Sequence, residues 1–238
     1  AVQAAMMAAF APGATPPEQD SAGPDETPDH RAMRRLYEQL AELPAELQQF
    51  LDGCPPNVAA RRDRIACREL VTRNVIVFAE GITTTCYWDL APEIPDYSDP
   101  YNMLGLVSAR LALLDFRDGE LVDAQPAAGT FRMLAEALAG ATAVRRITDG
   151  LATGVHAYAV DFGAGSPKAL QIVWREADPF AGDEDAPTAL DWHWPHHDLH
   201  AADALASALE LTRSGDRVTV PLSATPLLLS STPLATVG

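Results

Sequence analysis

Residues 63–90, DRIACRELVTRNVIVFAEGITTTCYWDL, place a helical apolar period directly against a β-rich run, with one glycine between them. Cys67, Leu70, Val71, Val75, Phe78 and Ala79 recur three or four apart and form one stripe, while Arg64, Arg68, Arg73 and Glu80 can stay in water. Asp63 is suited to cap the first turn, and Gly81 to take the left-handed position after the last. The β-branched residues Val71, Thr72, Val75, Ile76 and Val77 favour a strand, but spacing and caps outweigh that weak preference. The pattern therefore predicts a helix, a stop and then a strand ending on Tyr87, Trp88 and Asp89. With so few charges, that strand is expected to be covered on both faces.

The flanking sequence divides by composition. Residues 1–30 pass from an Ala/Met-rich start into a run of Pro, Gly, Asp and Glu without helical or strand period, which reads as a flexible segment. From Arg31, the spacing of Met33, Leu36, Leu40 and Leu43 predicts a helix, and Leu47, Phe50 and Leu51 a second one after Pro44, closed by Gly53. Residues 91–102 hold three prolines in twelve positions and read as a loop. LGLVSARLALLDF suits either helix or strand, and RDGE is a tight-turn signal. Thr130 is placed to cap a further helix with Phe131, Leu134 and Leu138 on its apolar face and Gly140 as its stop.

Beyond residue 142 the period becomes two. AVRRIT, VHAYAVDF, ALQIVWRE, RVTVPLS and PLLLSS read as strands separated by Gly, Pro and Asp clusters. In the second of these Val155, Ala157, Ala159 and Asp161 alternate with His156, Tyr158, Val160 and Phe162, so one face is expected to be apolar, as in a small antiparallel sandwich. The predicted fold class is α+β: partial (β/α) barrel elements followed by a C-terminal antiparallel β-sandwich. Three segments follow: 1–62 as a flexible or helical insertion or cap, 63–140 as terminal barrel elements, and 141–238 as the sandwich.

Composition excludes several functions. Seventeen Lys and Arg against 33 Asp and Glu give a net charge of −16 over 238 residues, which repels phosphate backbones, so nucleic acid is not an expected partner. No apolar run approaches the roughly 20 residues of a membrane span, and AVQAAMMAAF lacks the basic flank of a signal peptide. Cys54, Cys67 and Cys86 are odd in number and lack CxxC spacing, so a reducing compartment, cytoplasmic by default, is expected. GxSxG, GxxxxGK[ST] and GxGxxG signatures are absent, and the pattern calls for no cofactor.

The order of helix, strand ending in YWDL, loop, apolar segment with a turn, QPAA, helix and all-β tail resembles the C-terminal portion of retaining glycoside hydrolases of the (β/α)8 clan, in the β-xylosidase and iduronidase branch. In that clan the last barrel strand delivers an aromatic side chain under the sugar, a role the resemblance assigns to Trp88, with Tyr87 and Asp89 beside it. It also implies action on β-linked sugars through two carboxylates about 5–5.5 Å apart. Residues 1–62 contain no β-rich run ending in Glu, and a whole barrel takes about 250 residues. The catalytic pair is thus expected upstream of this chain or on a second chain that completes the barrel. The alternative is a non-catalytic carbohydrate-binding or assembly module.

One further cluster needs a reading. His193, His196, His197 and His200 lie beside Asp191 and Asp198, a donor set that can suit zinc, nickel or copper. The competing expectation, which carries more weight, is a solvent-facing loop whose Trp192 and Trp194 pack on the sandwich while the imidazoles edge it. Cys67 and Cys86 are expected to be buried packing thiols, leaving Cys54 as the exposed one.

Overall fold

The computed structural model describes residues 28–49, 51, 54–87, 112–117, 119–178 and 185–237. The chain divides into two compact units, one of residues 1–62 and 88–123, the other of residues 63–87 and 124–238. The division falls within one helix.

In the first unit, helix α1 (Pro28–Glu38) is followed by a 3-10 turn (Leu40–Glu42) and the single-turn helix α2 (Ala45–Gln48). Met33, fully buried, and Leu51 are its apolar anchors. Pro44 has no N–H to satisfy and its carbonyl accepts from Leu47 and Gln48, so it starts α2 as its sequence position predicts. Strands β1 (Leu114–Arg117) and β2 (Glu120–Ala124) pair as a two-stranded sheet. Gly119, at φ 81°, takes the positive-φ position in the turn between them, the RDGE turn.

Helix α3 (Pro56–Ala79) begins two turns before the predicted start, so Asp63 lies inside it rather than at its cap. The reason is Pro56, which supplies a preset φ at the first helical position, while the carbonyl of Pro55 accepts from Val58 and Ala59. Cys67, Leu70, Val71 and Val75 are buried, as the stripe requires, but Arg68 is buried with them instead of remaining in water. Helix α4 (Pro126–Leu138) shows the same shift. It starts at Pro126, so Thr130 is an interior residue, and the buried face is Ala127, Thr130, Met133, Leu134 and Ala137. Phe131, expected inside, is 41% exposed.

The remaining strands are β3 (Ala143–Ile147), β4 (Val155–Asp161), β5 (Leu170–Arg175), β6 (Thr188–His193), β7 (His200–Asp203), β8 (Ala208–Leu209), β9 (Thr212–Ser214), β10 (Arg217–Leu222) and β11 (Leu227–Ser230). They form a six-stranded sheet, β3-β4-β5-β11-β7-β8, and a three-stranded sheet, β6-β10-β9, with antiparallel pairing throughout. All five predicted strands are present. The 176–217 connection, read as a loop, instead contributes β6 to β9, because Trp192 and its neighbours satisfy the second sheet. Mixed helix and antiparallel sheet make the fold α+β.

Register explains the core. Val155, Ala157, Val173, Leu227 and Leu229 face the second sheet and meet Trp192, Val218, Val220 and Leu222. The alternate residues Val144, Tyr158, Val160, Leu170, Ile172, Trp174, Ala202 and Leu228 are buried too. The six-stranded sheet is therefore apolar on both faces, although alternation in β4 suggested only one. Helix α4 is tied to this sheet by side-chain hydrogen bonds: Thr130 Oγ1 donates to the Ala204 carbonyl at 2.6 Å, just after β7, and Lys168 Nζ, just before β5, donates to the carbonyls of Glu136 and Ala139 at the end of α4. A Cβ on Gly129 would stand 3.0 Å from Val237 Cγ1, so the C-terminal segment passes tightly over the same helix. That segment is held in turn by Val237 N–H on the Ala206 carbonyl.

Replacing Thr130 by Val leaves a buried carbonyl without its donor, for an expected loss of about 1–3 kcal/mol, whereas Thr130→Ser retains the bond. Leu229→Ala, inside the sandwich, is expected to cost about 2–5 kcal/mol. Urea unfolding of the three variants checks both values, and a Thr130→Val protein as stable as the parent would remove the hydroxyl from the helix-to-sheet junction.

Candidate functional site

Gly81 ends α3 with φ 84°, its N–H on the Phe78 carbonyl and the Ile82 N–H on the Val77 carbonyl. This closure reverses the chain, and residues 82–87 then run back along the helix. Thr85 Oγ1 donates to Asn74 Oδ1 at 2.5 Å, and Tyr87 comes within electrostatic reach of Cys67. The segment is irregular and belongs to no sheet among the described residues. That corrects the predicted buried strand: residues 82–86 are exposed, and an extended run becomes a strand only where a neighbouring backbone takes up its polar groups. The same geometry exposes Cys86, which was expected inside, while Cys54 is only partly covered.

Tyr87 is half-buried, its ring edge-on to Phe131 at 6.2 Å and 72°. Burial raises its phenol above the ordinary range, with Cys67 adding to the effect. Trp88 and Asp89, the other two predicted sugar contacts, lie outside the described residues, as do Glu18 and residues 88–111 that carry the expected loop and the LGLVSARL run. Glu42 belongs to the 3-10 turn of the first unit.

The His-rich stretch is built around two indoles. Trp192 is 8% exposed and donates Nε1–H to Gln171 Oε1 at 2.7 Å; Trp194 is fully buried and donates to the Asp198 carbonyl at 2.9 Å. Arg213 then clamps the intervening turn, its guanidinium donating to the carbonyls of His196, His197 and Gly215. The imidazoles diverge from this clamp. His193 pairs with Asp216 at 3.3 Å, His196 lies edge-on to Trp194, His197 pairs with Asp198 at 2.9 Å, and His200 opens β7. Among the described residues, no group of three or more His, Cys, Asp or Glu side chains could hold a metal ion.

Asp198 is held below the usual carboxylate range chiefly by its hydrogen bond to His197, reinforced by the charges of His197, His200 and Arg213. A glycosidase general acid needs the opposite displacement. Three further carboxylates of the sandwich are paired with arginines, Asp161 with Arg145, Asp191 with Arg217 and Asp185 with Arg175. Their geometry serves surface pairing rather than bond cleavage.

A second aromatic group escaped the sequence reading. His156, Trp174 and Tyr158 form a continuous stack, with centroids 5.3 and 5.2 Å apart and planes within 5° and 10°. His156 and Trp174 stand directly opposite across β4 and β5, so the period-two alignment of those strands held the available signal. His156 Nε2 is 3.6 Å from Glu176, and its Nδ1 is buried without a hydrogen-bond partner among the described residues. Trp174 is only 5% exposed, so this stack packs the sheet and offers no open ring face to a sugar.

No protein-family description matches the chain, and no curated protein is similar to it. Among solved structures it is similar to a family 39 glycoside hydrolase from the gut symbiont Bacteroides cellulosilyticus WH2, at 17% identity and a TM-score of 0.37. That similarity covers 56% of this chain, which spans 24% of the other. No helix among the described residues is long and apolar enough to cross a membrane.

Burial raises the pKa of the Cys67 thiol, partly offset by its side-chain hydrogen bonding with Thr130. A raised pKa keeps its stabilising contribution below the ordinary thiol pKa of about 8.5 and loses it as pH climbs through the folded value. A thiol reagent is expected to modify Cys86 first and Cys67 only on unfolding; rapid modification of Cys67 in the native protein would contradict its burial. For Asp198 the sign reverses, its contribution being present above the unfolded carboxylate pKa and lost as pH falls through the depressed folded value. NMR titration should show His197→Ala moving the Asp198 carboxyl back toward the ordinary range.

Proposed function

We propose that this chain is part of a glycoside hydrolase-like protein in which residues 82–89 face a sugar, with Tyr87, Trp88 and Asp89 as recognition groups. The observation that carries this reading is the course of residues 82–87, which leave α3 at Gly81 and return along it outside any described sheet, exposed up to Cys86 and half-buried at Tyr87. On this reading the segment would be the helix-to-strand step of an α/β barrel, completed as a strand once a neighbouring backbone pairs with it. An open edge of this kind is normally paired or shielded. Strands from upstream sequence or from a second chain would complete it, and barrels take their site residues from the C-terminal ends of such strands, the position this reading assigns to residues 87–89.

The chemistry of these residues suits holding rather than cutting. An aromatic face matches the apolar C–H face of a sugar, and an adjacent carboxylate accepts its hydroxyls. Hydrolysis of a β-linked sugar by the retaining route requires two carboxylates about 5–5.5 Å apart, and this reading takes both from outside the chain.

A non-catalytic assembly module is the second reading, favoured by a separate observation. Trp174, Trp192 and Trp194 are all at least nine-tenths buried, and α4 is held to the chain just after β7 by the buried Thr130–Ala204 hydrogen bond. The sandwich then acts as a support for helices and not as a sugar platform.

Calorimetric titration with xylo- and gluco-oligosaccharides, on this chain and on a version extended upstream in its reading frame, separates the two. The glycosidase reading expects binding and hydrolysis by the extended form, with Trp88→Ala weakening affinity about tenfold, equivalent to about 1.4 kcal/mol, at unchanged circular dichroism. Absence of heat at millimolar ligand in both forms would overturn it and leave the assembly role.

A further inference from the structure

We draw no further inference here: the strongest candidate, the solvent-open cleft of about 350 Å³ between β7, β8 and the C-terminal segment of the sandwich, walled by Leu199, Leu209, Leu211 and Leu234 with His200 and Glu210 at its polar positions, carries nothing, because nothing in the structure shows what covers it.

Discussion

A sheet that is apolar on both faces has to be covered twice, and the second compact unit is built around that requirement. Leu227 and Leu229 of β11 turn toward the three-stranded sheet, while Leu228 between them turns toward the helices, and all three are at most 2% exposed. Burying side chains of this size is worth about 1.5–3 kcal/mol each, so neither cover can be lost cheaply. The hydrogen bonds at the helix contribute less in sum but help set the geometry, since the buried Ala204 carbonyl is left unsatisfied if the helix slides away from Thr130. Thr130 on the Ala204 carbonyl anchors the start of α4, and Lys168 closes its end.

The reversal at Gly81 depends on the same helix layer. Because Cys67, Leu70, Val71 and Val75 bury one face of α3, the segment that follows it returns over surface the helix leaves free. Asn74 and Phe131 mark that route, the first binding Thr85 and the second meeting Tyr87. Tyr87 is consequently placed with more definition than the exposed threonines before it.

The two helix starts teach a common lesson. Asp63 and Thr130 are plausible caps, yet both helices begin earlier, at Pro56 and Pro126. Proline at the first helical position costs no hydrogen bond and presets φ, so it competes well with a capping side chain wherever the residues after it can be helical. Once Thr130 is freed from capping, its hydroxyl becomes available for the tertiary bond to Ala204. The histidines follow a similar logic: their clustering in sequence suggested metal, but Trp192 and Trp194 point inward and Arg213 gathers the backbone carbonyls, which sends the imidazoles to separate partners.

From sequence alone, five strands of the sandwich, the stripe on α3 and the stop at Gly81 were legible, because period and left-handed glycine are local properties carried by a few residues each. Tyr87 could be singled out in the same way, as the aromatic end of a β-rich run. Tertiary structure alone decided that β4 is buried on both faces, that β6 to β9 condense from a polar connection, and that residues 82–87 do not pair in a described sheet. Each of these depends on whether a second surface or backbone lies alongside, and such a neighbour, supplied by residues distant in the chain or by another chain, leaves no periodic mark on the segment it covers.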